Sequence, residues 1–264
     1  MRAFRPAGGY YVAGLDRTER EVFATVVADV AELLGAERFR AEASDGEGSG
    51  DGPVPDGAPD GGPDAAHPGV PPVLLRMSTG RVAPPDDPAV RRLLPDASRD
   101  DDEVTAEFRR LTDADLRSTK IARLRDLWTA LDGAQDAVRA RRLGLPADDD
   151  EDLVVPRGDA QALAAGLTDV RLVLAERLGL RTEEDADRLY ETLEAQAAAL
   201  DDADELDEGA DVDDDRPARE IVAAEVRAYL GSVYAALTWL QESLMALLLA
   251  DLDGGADGAR TGLD

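Results

Sequence analysis

The stretch PAREIVAAEVRAYLGSVYAALTWLQESLMALLLADL, residues 217–252, carries the longest helical pattern of the chain. Its apolar side chains recur about every 3.6 positions, as they do on one face of an α-helix. This stripe consists of Val222, Val226, Tyr229, Val233, Leu237, Leu240, Leu244 and Leu247. The polar pair Gln241-Glu242 interrupts the apolar character, which argues against a membrane span. The pattern therefore predicts the central core helix of a helical bundle.

Two more helices and a strand are predicted just upstream. Asp159 is placed to cap the first helix, and Gly179 to end it, because glycine accepts the left-handed backbone that closes many helices. The second helix covers residues 183–200. The short apolar run at 153–156 is a strand candidate that we expect to pair with an N-terminal hairpin.

The N-terminal residues predict a β-hairpin followed by a helix. Extended residue types lie on both sides of Gly8-Gly9, which is typical of a hairpin turn. Asp16 and Glu19 then have the spacing of a capping box, and apolar residues recur at helical spacing up to Gly35. This helix presents an apolar face that must be buried.

Residues 87–131 predict three helical segments. Pro88 occupies the first turn of a short helix. An acidic run opens the next helix, whose predicted buried side consists of Phe108 and Leu111. Thr112 is predicted to cap a third segment. The stripe of that segment comprises Leu116, Ile121, Leu124, Trp128 and Leu131.

Acidic residues are concentrated in segments with few apolar side chains. The chain has 57 Asp and Glu against 29 Lys and Arg, a formal net charge of −28. The runs at about 41–70 and 201–215 cannot bury enough apolar surface to offset the entropy of ordering, so we expect disordered insertions there and a disordered tail at 253–264. Residues 1–252 are predicted to form a single, mainly α domain. It is a helical bundle with a small β hairpin or sheet near the N-terminus.

Several blocks of the sequence resemble a known family. The likeness is carried by RRLLPD at residues 91–96, followed by an acidic run, and by FRRLT at 108–112. Three further blocks fit it, namely FRPAGGYYVAGLDRTEREVF at 4–23, DVRLVLAERLGL at 169–180 and LTWLQESLMALLL at 237–249. The chain is similar to the actinobacterial domain-of-unknown-function family two-zero-one-seven, whose gene commonly sits beside that of the Clp-protease adaptor. The family has no established activity, so the resemblance implies no catalytic residue, cofactor or ligand.

The residue types that usually carry catalysis are scarce. Cysteine is absent, and the one histidine, His67, lies within the first acidic run. This removes the usual nucleophile–base pairs and most transition-metal sites. Alternating aspartates at 211–215 mimic the start of an EF-hand loop, but Arg216 and Val222 stand where that loop needs glycine and glutamate. We predict no catalytic residue, no cofactor and no metal site. A carboxylate-based enzyme stays open as an alternative, which two or more acidic side chains converging in a pocket would indicate.

Six arginines are predicted as possible interaction residues, namely Arg91, Arg92, Arg109, Arg110, Arg117 and Arg123. Arg91 and Arg92 can grip the carboxylates of a partner, or they can pin their short helix to the bundle as an Arg–Asp clamp, which we favour. Residues 109–142 are an Arg-rich region that is predicted to be helical, with a further helical piece at 135–143. This region suggests an alternative function, that of a DNA-binding transcriptional regulator. Neighbouring aspartates favour intramolecular pairing instead.

These observations predict a non-catalytic cytosolic helical protein that acts as a binding, adaptor or regulatory module. Its partner is an unknown protein, with a link to Clp proteolysis suggested by the family's gene neighbourhood alone. The negative charge repels nucleic acid and anionic lipid, so neither is the expected partner. The absence of cysteine and of a signal-peptide pattern favours the cytoplasm. Trp128 and Trp239 are predicted as core residues, whereas an exposed tryptophan would indicate an interface anchor.

Overall fold

The computed structural model describes residues 1–37, 39, 85–98, 101–132, 152–205 and 218–260. Within them the chain forms three strands and six helices, so the predicted mainly α class is confirmed. The strands are β1 (Arg2–Ala7), β2 (Tyr10–Gly14) and β3 (Asp152–Pro156). The helices are α1 (Arg17–Leu33), α2 (Pro88–Leu93), α3 (Asp102–Leu131), α4 (Ala160–Leu178), α5 (Glu183–Glu205) and α6 (Ala218–Arg260). The predicted insertion at 41–70, His67 and the predicted helical piece at 135–143 lie outside the described residues.

The chain separates into two compact units. The larger comprises Met1–Phe39, Pro84–Pro95 and Asp115–Asp264, and the smaller comprises Arg40–Ala83 and Asp96–Ala114. Helix α3 contributes its first residues to the smaller unit and the remainder to the larger one. The sheet and the other five helices all belong to the larger unit. The sequence predicts one domain over residues 1–252.

The three strands form one antiparallel sheet in the order β1-β2-β3. Gly8 makes the turn between β1 and β2 with φ of 59°, a left-handed conformation that favours glycine. Val12 of β2 pairs with Val154 of β3, and both side chains are fully buried. The predicted pairing of the 153–156 strand with the N-terminal hairpin is therefore confirmed.

Helix α1 begins at the predicted capping box. The Asp16 carboxylate accepts a hydrogen bond from the backbone N–H of Glu19 at 2.8 Å, and the Glu19 carboxylate accepts one from the N–H of Asp16 at 2.9 Å. The helix ends before Gly35, whose φ is 89°. Both local signals are confirmed because each depends only on residues within one helical turn.

Helices α1 and α3 cap each other's C-terminal ends. Arg117 of α3 donates from Nη1 to the carbonyl oxygen of Leu34 at 3.0 Å, just after α1. Arg20 of α1 is buried and donates from Nη1 to the carbonyl oxygen of Leu131 at 3.4 Å, in the last turn of α3. A guanidinium at a helix C-terminus satisfies open carbonyls and interacts favourably with the helix dipole. Each helix therefore stabilises the last turn of the other.

Helix α3 is continuous, so the predicted new helix start at Thr112 is wrong. The Thr112 hydroxyl instead donates to the carbonyl oxygen of Phe108 at 2.8 Å, the bond that a threonine makes inside a helix. The predicted burial of Phe108 and Leu111 is also wrong, because both are exposed. Arg109 is the buried residue of that turn.

The last three helices follow the sequence signals with changes at their ends. Gly179 closes α4 with φ of 73°, as predicted. Asp159 stands at the N-cap of α4, but its side chain makes no capping hydrogen bond. Helices α5 and α6 continue to Glu205 and Arg260, so residues 201–205 and 253–260 are helical where the sequence predicts disorder.

Candidate binding site

The two arginines of α2 contact groups of their own chain. Arg91 donates from Nε to the carbonyl oxygen of Pro85 at 2.6 Å. Arg92 donates from Nε to the carboxylate of Glu176 in α4 at 3.1 Å. Arg92 therefore links α2 to α4, whereas the Arg91 contact is with the segment that precedes α2.

Three of the four predicted arginines of α3 also have intramolecular partners. Arg109 binds Asp96 from Nε at 2.9 Å, and Arg110 binds Glu107 one turn away at 2.6 Å. Arg117 caps α1 as described above. Arg123 is half-buried, and no polar contact of its side chain is found among the described residues. The described part of α3 therefore offers no continuous row of available guanidinium groups.

The apolar stripe of α6 is buried along only part of its length. Val233, Leu237, Leu240 and Leu244 are at most 4 % exposed and form part of the core, as predicted. Val222, Val226 and Tyr229 continue the same stripe but are 56 %, 52 % and 47 % exposed. The predicted burial of these three residues is wrong. We call them the exposed stripe.

Helix α5 packs on another side of α6. An added Cβ at Gly231 would lie 2.8 Å from Leu189 Cδ1, so the two helices approach closely at this glycine. At about 100° per residue, Gly231 lies roughly opposite Val222 around the α6 axis. The hairpin of α5 and α6 therefore leaves the exposed stripe facing away from its own helix contact.

A cleft of about 360 Å³ lies between α5 and α6. Its apolar lining includes Leu189 and Leu193 of α5 together with Ala224 and Ala228 of α6. Its polar lining consists of Asp185, Arg188, Thr192, Gln196 and Arg227. None of these polar residues is predicted as a site from the sequence. The sequence carries a signal for Arg188 alone, because this is the one basic residue of α5 beside ten acidic residues.

Asp185 in this cleft has a structural role. Its carboxylate accepts hydrogen bonds from the backbone N–H groups of Arg181 and Thr182, both at 3.0 Å. These two bonds are the main reason that the pKa of Asp185 lies below its usual value. Arg188 Nη1 also lies 3.3 Å from the carboxylate. The Asp185 carboxylate is therefore bound by groups at the start of α5.

A second cleft, of about 300 Å³, lies among α3, β3 and α4. Asp126 and Asp159 both line it, above an apolar floor that includes Leu127 and Leu163. Both aspartates are exposed to water. The two carboxylates therefore share the lining of one cleft, where solvent weakens the influence of one charge on the other.

The structure also bears on possible metal ligands and on the two tryptophans. In the part of the chain that the structure describes, no group of three or more His, Cys, Asp or Glu residues could hold a metal ion. The alternating aspartates at 211–215 lie outside that part. Trp128 is half-buried and packs on Phe39 with ring centroids 6.0 Å apart. Trp239 is 42 % exposed, so the prediction that it is a core residue is wrong.

Helix α6 contains the segment Val222–Asp253, which is long and apolar enough to cross a bilayer. It is the one such segment among the described residues, and 33 % of its most apolar part is buried within the protein. The core helix of a soluble protein has the same character, so this is weak evidence for a membrane span.

The fold and these surfaces define a mainly helical protein with a small antiparallel sheet, whose longest helix has a partly exposed apolar face. The family model described as a domain of unknown function (DUF2017) matches residues 1–248, so the chain belongs to that family. The family resemblance carried by the sequence blocks is therefore confirmed. No curated protein and no solved structure matches the chain.

Proposed function

We propose that this protein is a non-catalytic adaptor or regulatory module that binds a partner polypeptide on the exposed stripe of α6. The observation that carries the proposal is the change in exposure along one helix face. Val226 is 52 % exposed, whereas Val233, two turns on, is 4 % exposed. Apolar residues at i, i+4 and i+7 are the anchor spacing of helix-in-groove recognition. Burial of this face against a partner contributes roughly 25 cal/mol per Å² of apolar surface.

The partner and the compartment are part of the same proposal. We place the protein in the cytoplasm, on the grounds of its cysteine-free composition. The partner is an unknown protein, and the gene neighbourhood that the resemblance implies suggests a link to Clp proteolysis. That link is associational, because no residue of the chain encodes it.

A matched pair of charge substitutions tests the role of the exposed stripe. Val226→Asp places a carboxylate in the stripe, whereas Ala223→Asp places one on an exposed position of the same helix outside the stripe. Wild type and both variants, each confirmed as folded by circular dichroism, are used to capture proteins from native cytosol. We expect a partner that Val226→Asp loses and Ala223→Asp retains. A partner set identical for all three proteins would overturn the proposal.

A second candidate function is favoured by one observation, the presence of Asp126 and Asp159 in one cleft. Two carboxylates can act as general acid and general base in hydrolysis. This candidate predicts turnover of a glycoside or ester from a chromogenic panel, lost in Asp126→Asn and Asp159→Asn. The absence of turnover by the wild-type protein across the panel would remove it.

A further inference from the structure

We propose that the cleft between α5 and α6 binds the free C-terminal carboxylate of a polypeptide that ends in an aliphatic residue. The proposal rests on the proposed function in one respect, since the ligand is a partner polypeptide. The cleft itself is separate from the exposed stripe, because it lies on the side of α6 that faces α5.

The cleft has room for an aliphatic side chain and the end of the polypeptide that carries it. Its volume of about 360 Å³ is at the low end of the range of roughly 300–1,000 Å³ for ligand pockets. Ala224 and Ala228 of α6 lie opposite Leu189 and Leu193 of α5 in its lining. The small alanine side chains leave room between the helices, and the leucines supply apolar surface.

Two guanidinium groups give the cleft its specificity for a carboxylate. Arg227 uses Nη1 to bind the carbonyl oxygen of Leu178 at 2.8 Å, which fixes its position at the end of α4. Among the residues that the structure describes, Arg188 makes an ion pair with Asp185 at 3.3 Å. Each guanidinium has five N–H donors, so both keep donors for a carboxylate. The Asp185 charge is already engaged by the N–H groups at the start of α5.

The charge around the cleft selects against polyanions. The chain carries a net charge of −28, and Arg188 is the one basic residue among the 23 of α5. A polyphosphate or nucleic acid would be repelled by this surface at long range. A single carboxylate that is held at short range by two arginines experiences much less repulsion, because solvent and salt screen the distant charges.

The polar rim favours a polypeptide end over a small free acid. The cleft is open to solvent, whereas small-molecule sites bury most of the ligand surface. Thr192 and Gln196 line the same cleft on the α5 side. Their hydroxyl and amide groups can bond the N–H and C=O groups of the preceding peptide unit. A polypeptide can leave through the open side, as in other sites that capture a terminal carboxylate.

Fluorescence anisotropy with a labelled hexapeptide ending in leucine tests the assignment on the purified full-length chain. The free acid and the C-terminal amide of the same peptide form the matched ligand pair. We expect the amide to bind at least tenfold more weakly. Arg188→Gln and Arg227→Gln are each expected to weaken binding of the free acid about tenfold, because each removes a charge-assisted hydrogen bond. Arg219→Gln, an exposed α6 position outside the cleft, is the control and should bind like wild type.

A further variant is needed because Arg227→Gln removes the bond to the end of α4 as well as a donor of the cleft. Ala228→Leu leaves both arginines in place and fills the cleft with a larger side chain, so it should abolish binding of the peptide. Equal binding of acid and amide, or wild-type affinity in both arginine variants, would overturn the proposal. Octanoate that competes as well as the peptide would also overturn it, because the site would then take small acids. Peptide binding that persists in Val226→Asp supports the cleft as a separate site, even where the capture experiment on the exposed stripe fails.

Discussion

Arg92 of α2 lies 3.1 Å from the carboxylate of Glu176 in α4. A second ion pair runs between the same helices in the opposite sense, from Arg177 of α4 to Asp87 of α2 at 2.6 Å. Each helix thus supplies one cation and one anion, which fixes both the position and the direction of α2 on α4. Arg92 and Arg177 are therefore both engaged within the protein.

Replacement of Arg92 by alanine should therefore change stability and leave partner binding intact. We expect Arg92→Ala to lower the free energy of unfolding by about 0.5 kcal/mol, the usual contribution of a partly exposed ion pair. Urea denaturation measures this change. Arg17→Ala, which removes a highly exposed pair with Glu21, is the control and should have a smaller effect. Loss of the captured partner from a folded Arg92→Ala protein would instead identify α2 as an interface.

The Asp87–Arg177 pair should make stability depend on pH. The hydrogen bond from Arg177 is the main cause that holds the pKa of Asp87 below its usual value, and the N–H of Ala89 adds to it. The stabilisation is present above the unfolded pKa of about 4 and is lost as the pH falls through the lower folded pKa.

Two substitutions at this position separate charge from capping. Asp87→Asn keeps an oxygen for the N–H of Ala89, so we expect a loss of about 0.5 kcal/mol at pH 7 that shrinks as the pH falls through the lowered folded pKa of Asp87. Asp87→Ala also removes the cap, which should cost about 1 kcal/mol more at every pH. Urea denaturation at several pH values measures both. A deficit of Asp87→Asn that is independent of pH would contradict this account.

Lys120, the one lysine of the chain, should be essential to the core through its pair with Asp169. The ammonium lies 2.6 Å from Asp169 Oδ1, and the two side chains are 13 % and 5 % exposed. Asp169 Oδ2 is buried and has no hydrogen-bond partner in the described part of the chain. Lys120→Met should therefore destabilise the protein by about 3 kcal/mol, because a buried carboxylate loses its counter-charge.

The double substitution Lys120→Met/Asp169→Leu is the control for this prediction. It removes both charges, so we expect it to recover most of the lost stability. Equilibrium unfolding of wild type, both single variants and the double variant completes a thermodynamic cycle. Additive losses in the double variant would show that the pair does not act as a unit.

Two signals that involve a single helical turn are confirmed, whereas the predicted helix start at Thr112 and the predicted side-chain cap of Asp159 are wrong. Asp16 and Glu19 form the capping box, and Gly179 ends α4, because each feature depends on nearby backbone groups alone. Helical periodicity also located the core face of α6 at Val233 and Leu237. Periodicity identifies an apolar face, but it does not show which part of that face another element covers.

The exposed positions and the α5–α6 cleft depend on contacts between distant segments. Phe108 and Val226 have the spacing of buried residues, yet they are 44 % and 52 % exposed. Arg188 and Arg227 line one cleft only because α5 packs on α6. The sequence contains no local motif for that pairing. The isolated positive charge of Arg188 in an acidic helix is the one available signal.

The end of α6 is tied to the sheet by Tyr11, Arg157 and Asp251. The Tyr11 hydroxyl and the Arg157 guanidinium both donate to the Asp251 carboxylate, and the guanidinium lies 4.8 Å from the centre of the Tyr11 ring. Burial is the largest cause that raises the pKa of Tyr11, and the bond to Asp251 raises it further. The positive charge of Arg157 acts in the opposite direction.

Substitutions of the two charged residues should therefore shift the pKa of Tyr11 in opposite directions. Asp251→Asn should lower it, although burial will keep it above the usual value of about 10. Arg157→Gln should raise it, because the Asp251 charge then acts on the phenol without compensation. Spectrophotometric titration of the tyrosines measures both shifts, and Tyr11→Phe identifies the step that belongs to this residue. Opposite shifts of the Tyr11 pKa are expected only if all three side chains are in contact. Shifts of the same sign in both variants would contradict this contact and would mean that the C-terminal part of α6 has moved away from the sheet.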